Sequence, residues 1–168
     1  VFNSKDFSYL FGDTTEQISF YAPNANILVV DDNAVNLQVA TGLLSRFKVN
    51  VETCNSGKES LNLLFAENPN KFNIVFMDHM MPEMDGIELV NHIRNDFSTS
   101  HIPVIMITAK HEDDTQVKAM KYGADGYVTK PFTIELLNAR IDNMLERRKM
   151  LISRLSDIRS SENQENRN

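Results

Sequence analysis

Five polar residues of this chain follow apolar runs at positions where chemistry could be done. Asp31 and Asp32 close Ile27–Val30, Asp78 closes Phe72–Met77, Thr108 closes Ile102–Ile107, and Lys130 follows the short run Gly126–Val128. Three carboxylates brought within a few ångströms repel one another, and each titrates high unless a cation neutralises it. Oxygen donors without imidazole or thiolate suit Mg²⁺, with Mn²⁺ as a second candidate, and Mg²⁺ characteristically binds one or two carboxylates plus a phosphate. A lysine and a hydroxyl aimed at the same point could each take one of the oxygens over which a transferring phosphoryl group spreads its charge. A carboxylate oxygen is then the good nucleophile, as in the aspartyl phosphates of ATPases. Taken singly, each residue has a plainer reading: Asp or Thr after a strand commonly caps a helix or shapes a turn, and a lone Lys is usually solvated. Their coincidence at successive run ends is what favours the chemistry.

The elements that must position these residues alternate along the chain. Asn26–Val30 is a continuous apolar strand, and after Asn33 the residues Val35, Val39, Leu43 and Leu44 recur at helical spacing. Val49–Cys54 reads as a second strand, Ser56 as the cap of a helix holding Leu61, Leu64 and Phe65, and Asn68-Pro69-Asn70 as its stop. A third strand covers Phe72–Met77, followed by a loop with Pro82 and Gly86 and a helix with Ile87, Leu89, Val90 and Ile93. Ile102–Ile107 is the fourth strand, a polar helix runs from about Glu112 to Tyr122 and stops at Gly123, and the final helix begins near Thr133. Strands that are apolar throughout are those buried on both faces of a parallel sheet. The fold class is therefore α/β, a doubly wound five-stranded parallel sheet with helices on both faces. Right-handed crossovers then gather the strand carboxyl ends, and the five polar residues, along one edge.

Composition excludes several classes of function. With 17 Lys and Arg against 23 Asp and Glu, a net charge of −6 and a pI near 5.2, the chain offers no nucleic-acid surface, and its basic run is confined to Arg147, Arg148 and Lys149. Its apolar stretches are far shorter than the roughly 20 residues a membrane span needs, so no membrane insertion by this chain is expected. A single cysteine, Cys54, can make neither an intrachain disulfide nor a zinc site and reads as a packed thiol. The expected location is the cytoplasm. The chain opens at Val1, not at a methionine, which fits a segment of a longer protein, and that protein could carry a membrane anchor.

Four motifs, in order, carry a family resemblance: Ile27–Asn33 (ILVVDDN), Met77–Gly86 (MDHMMPEMDG), Ile105–Ala109 (IMITA) and Tyr127–Phe132 (YVTKPF). Over residues 26 to 147 the chain resembles the receiver, or response-regulator, domain of two-component signalling. The resemblance implies a flavodoxin-like strand order of 2-1-3-4-5, which the residues alone leave open. It implies that Asp78 is the phosphoacceptor, that Asp32 is a direct Mg²⁺ ligand with Asp31 nearby or acting through water, and that the backbone carbonyl of Met80 completes the metal contacts. It further implies that Lys130 contacts the phosphoryl group, that Thr108 bonds to it after phosphorylation, that Tyr127 is the switch aromatic, and that the Lys130–Pro131 peptide is cis. The phosphodonor would be a histidine kinase or a histidine phosphotransfer protein. Met80 and Lys110 stand where the family tunes phosphoryl lifetime; an apolar Met80 cannot orient an attacking water, so slow dephosphorylation is expected. His79 should face away from the pocket by strand alternation.

The remaining segments bear on context. Residues 1–24 hold Phe2, Phe7, Tyr9, Phe11, Phe20 and Tyr21 without sustained periodicity and read as an aromatic-rich leader or linker ahead of a domain at 25–147. The apolar stripe Ile134, Leu137, Ile141, Met144, Leu151, Leu155 and Ile158 continues past that domain, interrupted by Arg148, so a helical extension over 148–158 is a candidate surface for a homodimer, with 159–168 expected to be disordered. The leader and the His-Met-Met after Asp78 look similar to receivers of bacterial hybrid sensor kinases. The alternatives are a stand-alone single-domain regulator and a receiver-like dimerisation scaffold whose acidic site is idle. A phosphohydrolase is disfavoured because Met80 stands where a second carboxylate would be needed. Self-phosphorylation and slow hydrolysis are partial reactions of a switch and not turnover.

Overall fold

The computed structural model describes residues 21–165 apart from 67, 69–70 and 110–112. The elements are β1 (Asn26–Val30), α1 (Ala34–Leu44), β2 (Asn50–Cys54), α2 (Gly57–Leu64), β3 (Ile74–Asp78), α3 (Gly86–Asn95), β4 (Val104–Thr108), α4 (Asp113–Lys121), β5 (Gly126–Thr129) and α5 (Ile134–Glu165). All four strand pairings are parallel, in the order β2-β1-β3-β4-β5. Every residue of β3 and β4 is buried, as continuous apolar runs in a two-sided sheet must be. One face packs Leu28, Val75, Met77 and Met106 against Leu64 of α2 and Leu89, Val90 and Ile93 of α3. The other packs Val29, Phe76, Ile105 and Val128 against Leu43 and Leu44 of α1 and Ile134, Leu137 and Ile141 of α5.

Local chemistry sets the helix starts. Asn33 accepts from the Val35 amide, Ser56 from Glu59 and Asp85 from Glu88, so all three helices begin on side-chain caps. Gly123 ends α4 at φ 101°, and its carbonyl accepts from Arg94 Nε at 2.8 Å. The same guanidinium reaches Ser100 O, Ile102 O and Asp125, tying α3 to the loops before β4 and β5.

Of the boundaries that differ from the sequence reading, three have a clear local cause or consequence. The third strand starts at Ile74, leaving Phe72 buried in the core but outside the ladder. The fourth starts at Val104: Pro103 has no amide to donate, and Ile102 N donates to Thr99 O in a turn. α5 runs to Glu165, through most of the tail expected to be disordered; no Gly or Pro follows Pro131, so nothing in the chain stops propagation. Met144 of the α5 stripe packs partly buried on the domain, and Met150 is exposed. Of the leader, residues 1–20 lie outside the described residues; Tyr21 lies under Lys48 Nζ and Ala22 N donates to Phe47 O at 3.0 Å. Among the described residues no helix is long and apolar enough to cross a membrane.

Candidate functional site

The carboxyl ends of β1 and β3 bring Asp31, Asp32 and Asp78 together, with one oxygen from each lying within 4.8 Å of the others. Asp31 and Asp78 are 1% and 5% exposed, whereas Asp32 faces solvent. From the end of β5, Lys130 Nζ reaches between the two buried carboxylates, 2.8 Å from Asp78 Oδ1 and 3.0 Å from Asp31 Oδ2. The Lys130–Pro131 peptide is cis. Lys130 N donates to Thr108 O at 2.8 Å, which anchors the lysine to the end of β4.

The charges explain how these groups titrate. Burial pushes the Asp78 carboxyl up, the hydrogen bond and charge of Lys130 oppose that, and the like charges of Asp31 and Asp32 add to it. Lys130 is also raised: burial works against its ammonium, but its bonds to Asp78 and Asp31 outweigh burial. An all-oxygen donor set with one net cation against three carboxylates is short of positive charge, and it suits Mg²⁺ by ligand type.

Other residues complete the pocket. Thr108 is 1% exposed, and its Oγ1 has no hydrogen-bond partner among the described residues. Met80 projects a 66% exposed side chain beside the pocket, and Lys110 lies outside the described residues. His79 N donates to Ile107 O, extending the β3–β4 ladder, and its Nδ1 is buried without a partner among the described residues. Tyr127 is half-buried on β5, with Arg140 of α5 over its ring. Cys54 is buried and its thiol is pushed up to about 12, chiefly by burial, so it is an unreactive packing group.

Two residues have roles at the site that the sequence reading did not assign. Asn36, in the first turn of α1, donates through Nδ2 to both oxygens of Asp31, at 3.1 and 3.0 Å, while Asn33 N donates to Asp31 Oδ1. The spacing of five from Asp31 across a capped helix start was the available signal. Gly86 is the other: a Cβ there would sit 2.5 Å from the Asp78 carbonyl oxygen and 2.6 Å from Met106 Cε, so only glycine lets α3 start against the end of β3.

Residues 27–142 match the model of the response regulator receiver domain. The chain belongs to the receiver domain family. Histidine kinase 2 of Arabidopsis thaliana is 37% identical over 140 residues, covering 71% of this receiver and 12% of the kinase. Heme response regulator HssR of Staphylococcus epidermidis is 41% identical over 122 residues, covering 73% of this chain and 52% of the regulator. A response regulator receiver domain protein from Clostridium thermocellum superposes with a TM-score of 0.69 at 35% identity, covering 76% of this receiver and 98% of that chain. The receiver thus spans only a small part, 10–14%, of the histidine kinases it matches. As a receiver, it is a component of two-component signalling, a family that works with histidine kinases or phosphotransfer partners and binds Mg²⁺ through an acidic pocket.

Proposed function

We propose that this receiver is a phosphoryl-accepting switch, with Asp78 taking the phosphoryl group from the phosphohistidine of a histidine kinase or phosphotransfer protein. The observation that carries the reading is Lys130 Nζ held between Asp31 and Asp78 inside a cluster of three carboxylates. An Asp78 oxygen attacks phosphorus, the P–N bond to the donor imidazole breaks, and an acyl phosphate forms. Lys130 is already positioned to pair with the incoming phosphoryl oxygens, because Asp31 holds its ammonium while Asn36 and Asn33 hold Asp31. Asp32, Asp78 and the backbone carbonyl of Met80 would hold Mg²⁺ or Mn²⁺, with Asp31 nearby or acting through water, and the ion would neutralise the cluster and the transferring charge.

The unpartnered Thr108 hydroxyl supports the next step, in which it bonds to the phosphoryl group and Tyr127 moves inward. Phosphorylation then shifts the population of states at the surface of α4, β5 and α5, which includes Lys118, Lys121 and Tyr122. The histidine-kinase relatives support a receiver within a hybrid-kinase phosphorelay, and the Clostridium thermocellum receiver chain, 98% of which is covered, supports the alternative of a stand-alone single-domain regulator. The length of α5, about 48 Å for 32 residues, favours a homodimer through its outer half. If the acidic site were idle and the chain a scaffold, the dimer population would not respond to phosphorylation.

The test is intact mass after incubation with Mg²⁺ and acetyl phosphate, beside Asp78→Asn and a metal-free control. Gain of one phosphoryl group that needs both Mg²⁺ and Asp78 is expected. No gain with several small donors would overturn the reading.

A further inference from the structure

We propose that Arg140 of α5 is a positioning residue for the switch, holding the Tyr127 ring in its present place so that the phosphorylated state forms only by giving up that contact. This rests on the reading of Thr108 and Tyr127 as the switch pair. In the β4–β5 register Tyr127 stands beside Met106 and Thr129 beside Thr108, so these four side chains share one face of the sheet. That face belongs to the core shared with α3, where Tyr127 packs partly buried beside Met106 and Ala124. α5 lies on the opposite face, its Ile134, Leu137 and Ile141 packed with Val128.

Because β5 is the sheet edge, a long side chain from α5 can reach around it, and Arg140 does so: its Cζ lies 5.2 Å from the Tyr127 ring centroid. A guanidinium at that distance is attracted by the ring's quadrupole. Both groups are half-buried, so the contact is partly shielded from water. The ring is thus a partner that the structure gives the Arg140 guanidinium at the sheet edge. The buried, unpartnered Thr108 hydroxyl pulls the equilibrium the other way, since it gains a partner only when the switch moves. Arg140 and Thr108 therefore oppose each other across β5. Removing the guanidinium lifts the restraint and shifts the equilibrium toward the phosphorylated arrangement by about two- to five-fold, the range of a partly exposed cation–π contact.

The experiment uses the full chain with ring-labelled tyrosine; of its four tyrosines the Tyr127 signal is assigned from Tyr127→Phe. The signal is recorded with and without Mg²⁺ and acetyl phosphate, for the wild type, Arg140→Ala and Arg140→Lys, with thermal melts to confirm folding. In unphosphorylated Arg140→Ala the Tyr127 signal should move part of the way toward its phosphorylated position, and phosphoryl uptake should quicken about two- to five-fold. Arg140→Lys, which keeps the cation, should stay near the wild type. A Tyr127 signal and uptake rate in Arg140→Ala that match the wild type would overturn the role of Arg140 while leaving the switch intact. A wild-type Tyr127 signal that does not move when mass shows Asp78 phosphorylated would overturn the switch reading, and the role of Arg140 with it.

Discussion

Replacing Asp78 by Asn should stabilise this protein in metal-free buffer at neutral pH, although it removes one partner of an ion pair. The Lys130–Asp78 contact at 2.8 Å is worth about 6 kcal/mol of Coulomb attraction at an effective dielectric of 20. Against it stands Asp31, whose buried carboxylate lies within 4.8 Å of that of Asp78 and repels it by about 3.5 kcal/mol on the same scale. What is left, at most about 2 kcal/mol in favour of the charge before the solvent-screened repulsion of Asp32 is counted, is less than the several kcal/mol that burying a carboxylate costs. That balance agrees with the raised Asp78 pKa, whose largest cause is burial. The asparagine side chain of the variant keeps a carbonyl for Lys130, and Lys130 keeps Asp31 at 3.0 Å, so the ammonium is not stranded.

The variant should therefore gain roughly 1–3 kcal/mol, or about 3–10 °C in Tm for a domain of this size. The pH dependence has a definite sign. A carboxyl whose folded pKa is raised favours folding relative to its charged form as pH falls through that pKa, so the advantage of Asn is full above the raised value. It fades on acidification and is gone below the ordinary value of 3.8. Paired urea titrations of wild type and variant from about pH 7 to about pH 3.5 in chelator would measure this. Repeating them in Mg²⁺ should narrow the gap, because ligand binding stabilises the wild type and the variant has lost a donor. A variant less stable than the wild type at neutral pH, or an advantage that grows with acid, would refute the claim that desolvation dominates at Asp78.

Two further substitutions probe the backbone around the acceptor. Gly86→Ala should cost more than about 2 kcal/mol and slow phosphoryl uptake, since the new Cβ cannot avoid the Asp78 carbonyl; urea midpoints and the intact-mass assay would show both effects. Glu83, in the loop after Asp78, is held at φ 66°, and Glu83→Gly should raise stability by about 0.5–1 kcal/mol, the relief of a left-handed side-chain residue less the flexibility glycine adds to the unfolded chain. An unchanged urea midpoint would show that the loop carries no such strain.

The site was legible in the sequence because its charged members sit at strand ends. A strand buried on both faces must be apolar throughout, so Asp31, Asp78 and Thr108 stand out as the first polar residues after such runs, and a parallel sheet sends all those ends to one edge. What was missed depends on contacts without a sequence period. Asn36 is one polar residue on a helix that carries several, and its role is visible only once α1 folds back over Asp31. Gly86 resembles any loop glycine until the distance to Asp78 O is measured. The strand starts shifted for a similar reason: Phe72 and Ile102 are as apolar as the ladder residues, but hydrophobicity reports burial, and pairing is decided by where the amides point.

The end of α5 shows the same separation of causes. Its outer sequence, from Ser160 to Glu165, is polar enough to resemble a disordered tail, yet continues the helix with no breaker. Once the first turns of α5 are nucleated by Ile134, Leu137 and Ile141 against the sheet, each further residue adds a hydrogen bond without a new nucleation cost, so the helix can outrun the packing that started it. A helix maintained that way is stable near the domain and progressively weaker outward, and any partner that covers its outer apolar positions stabilises it with little further ordering cost. That coupling would let a change at Tyr127, passed to Arg140 on the second turn of α5, reach a partner held at the far end of the same helix.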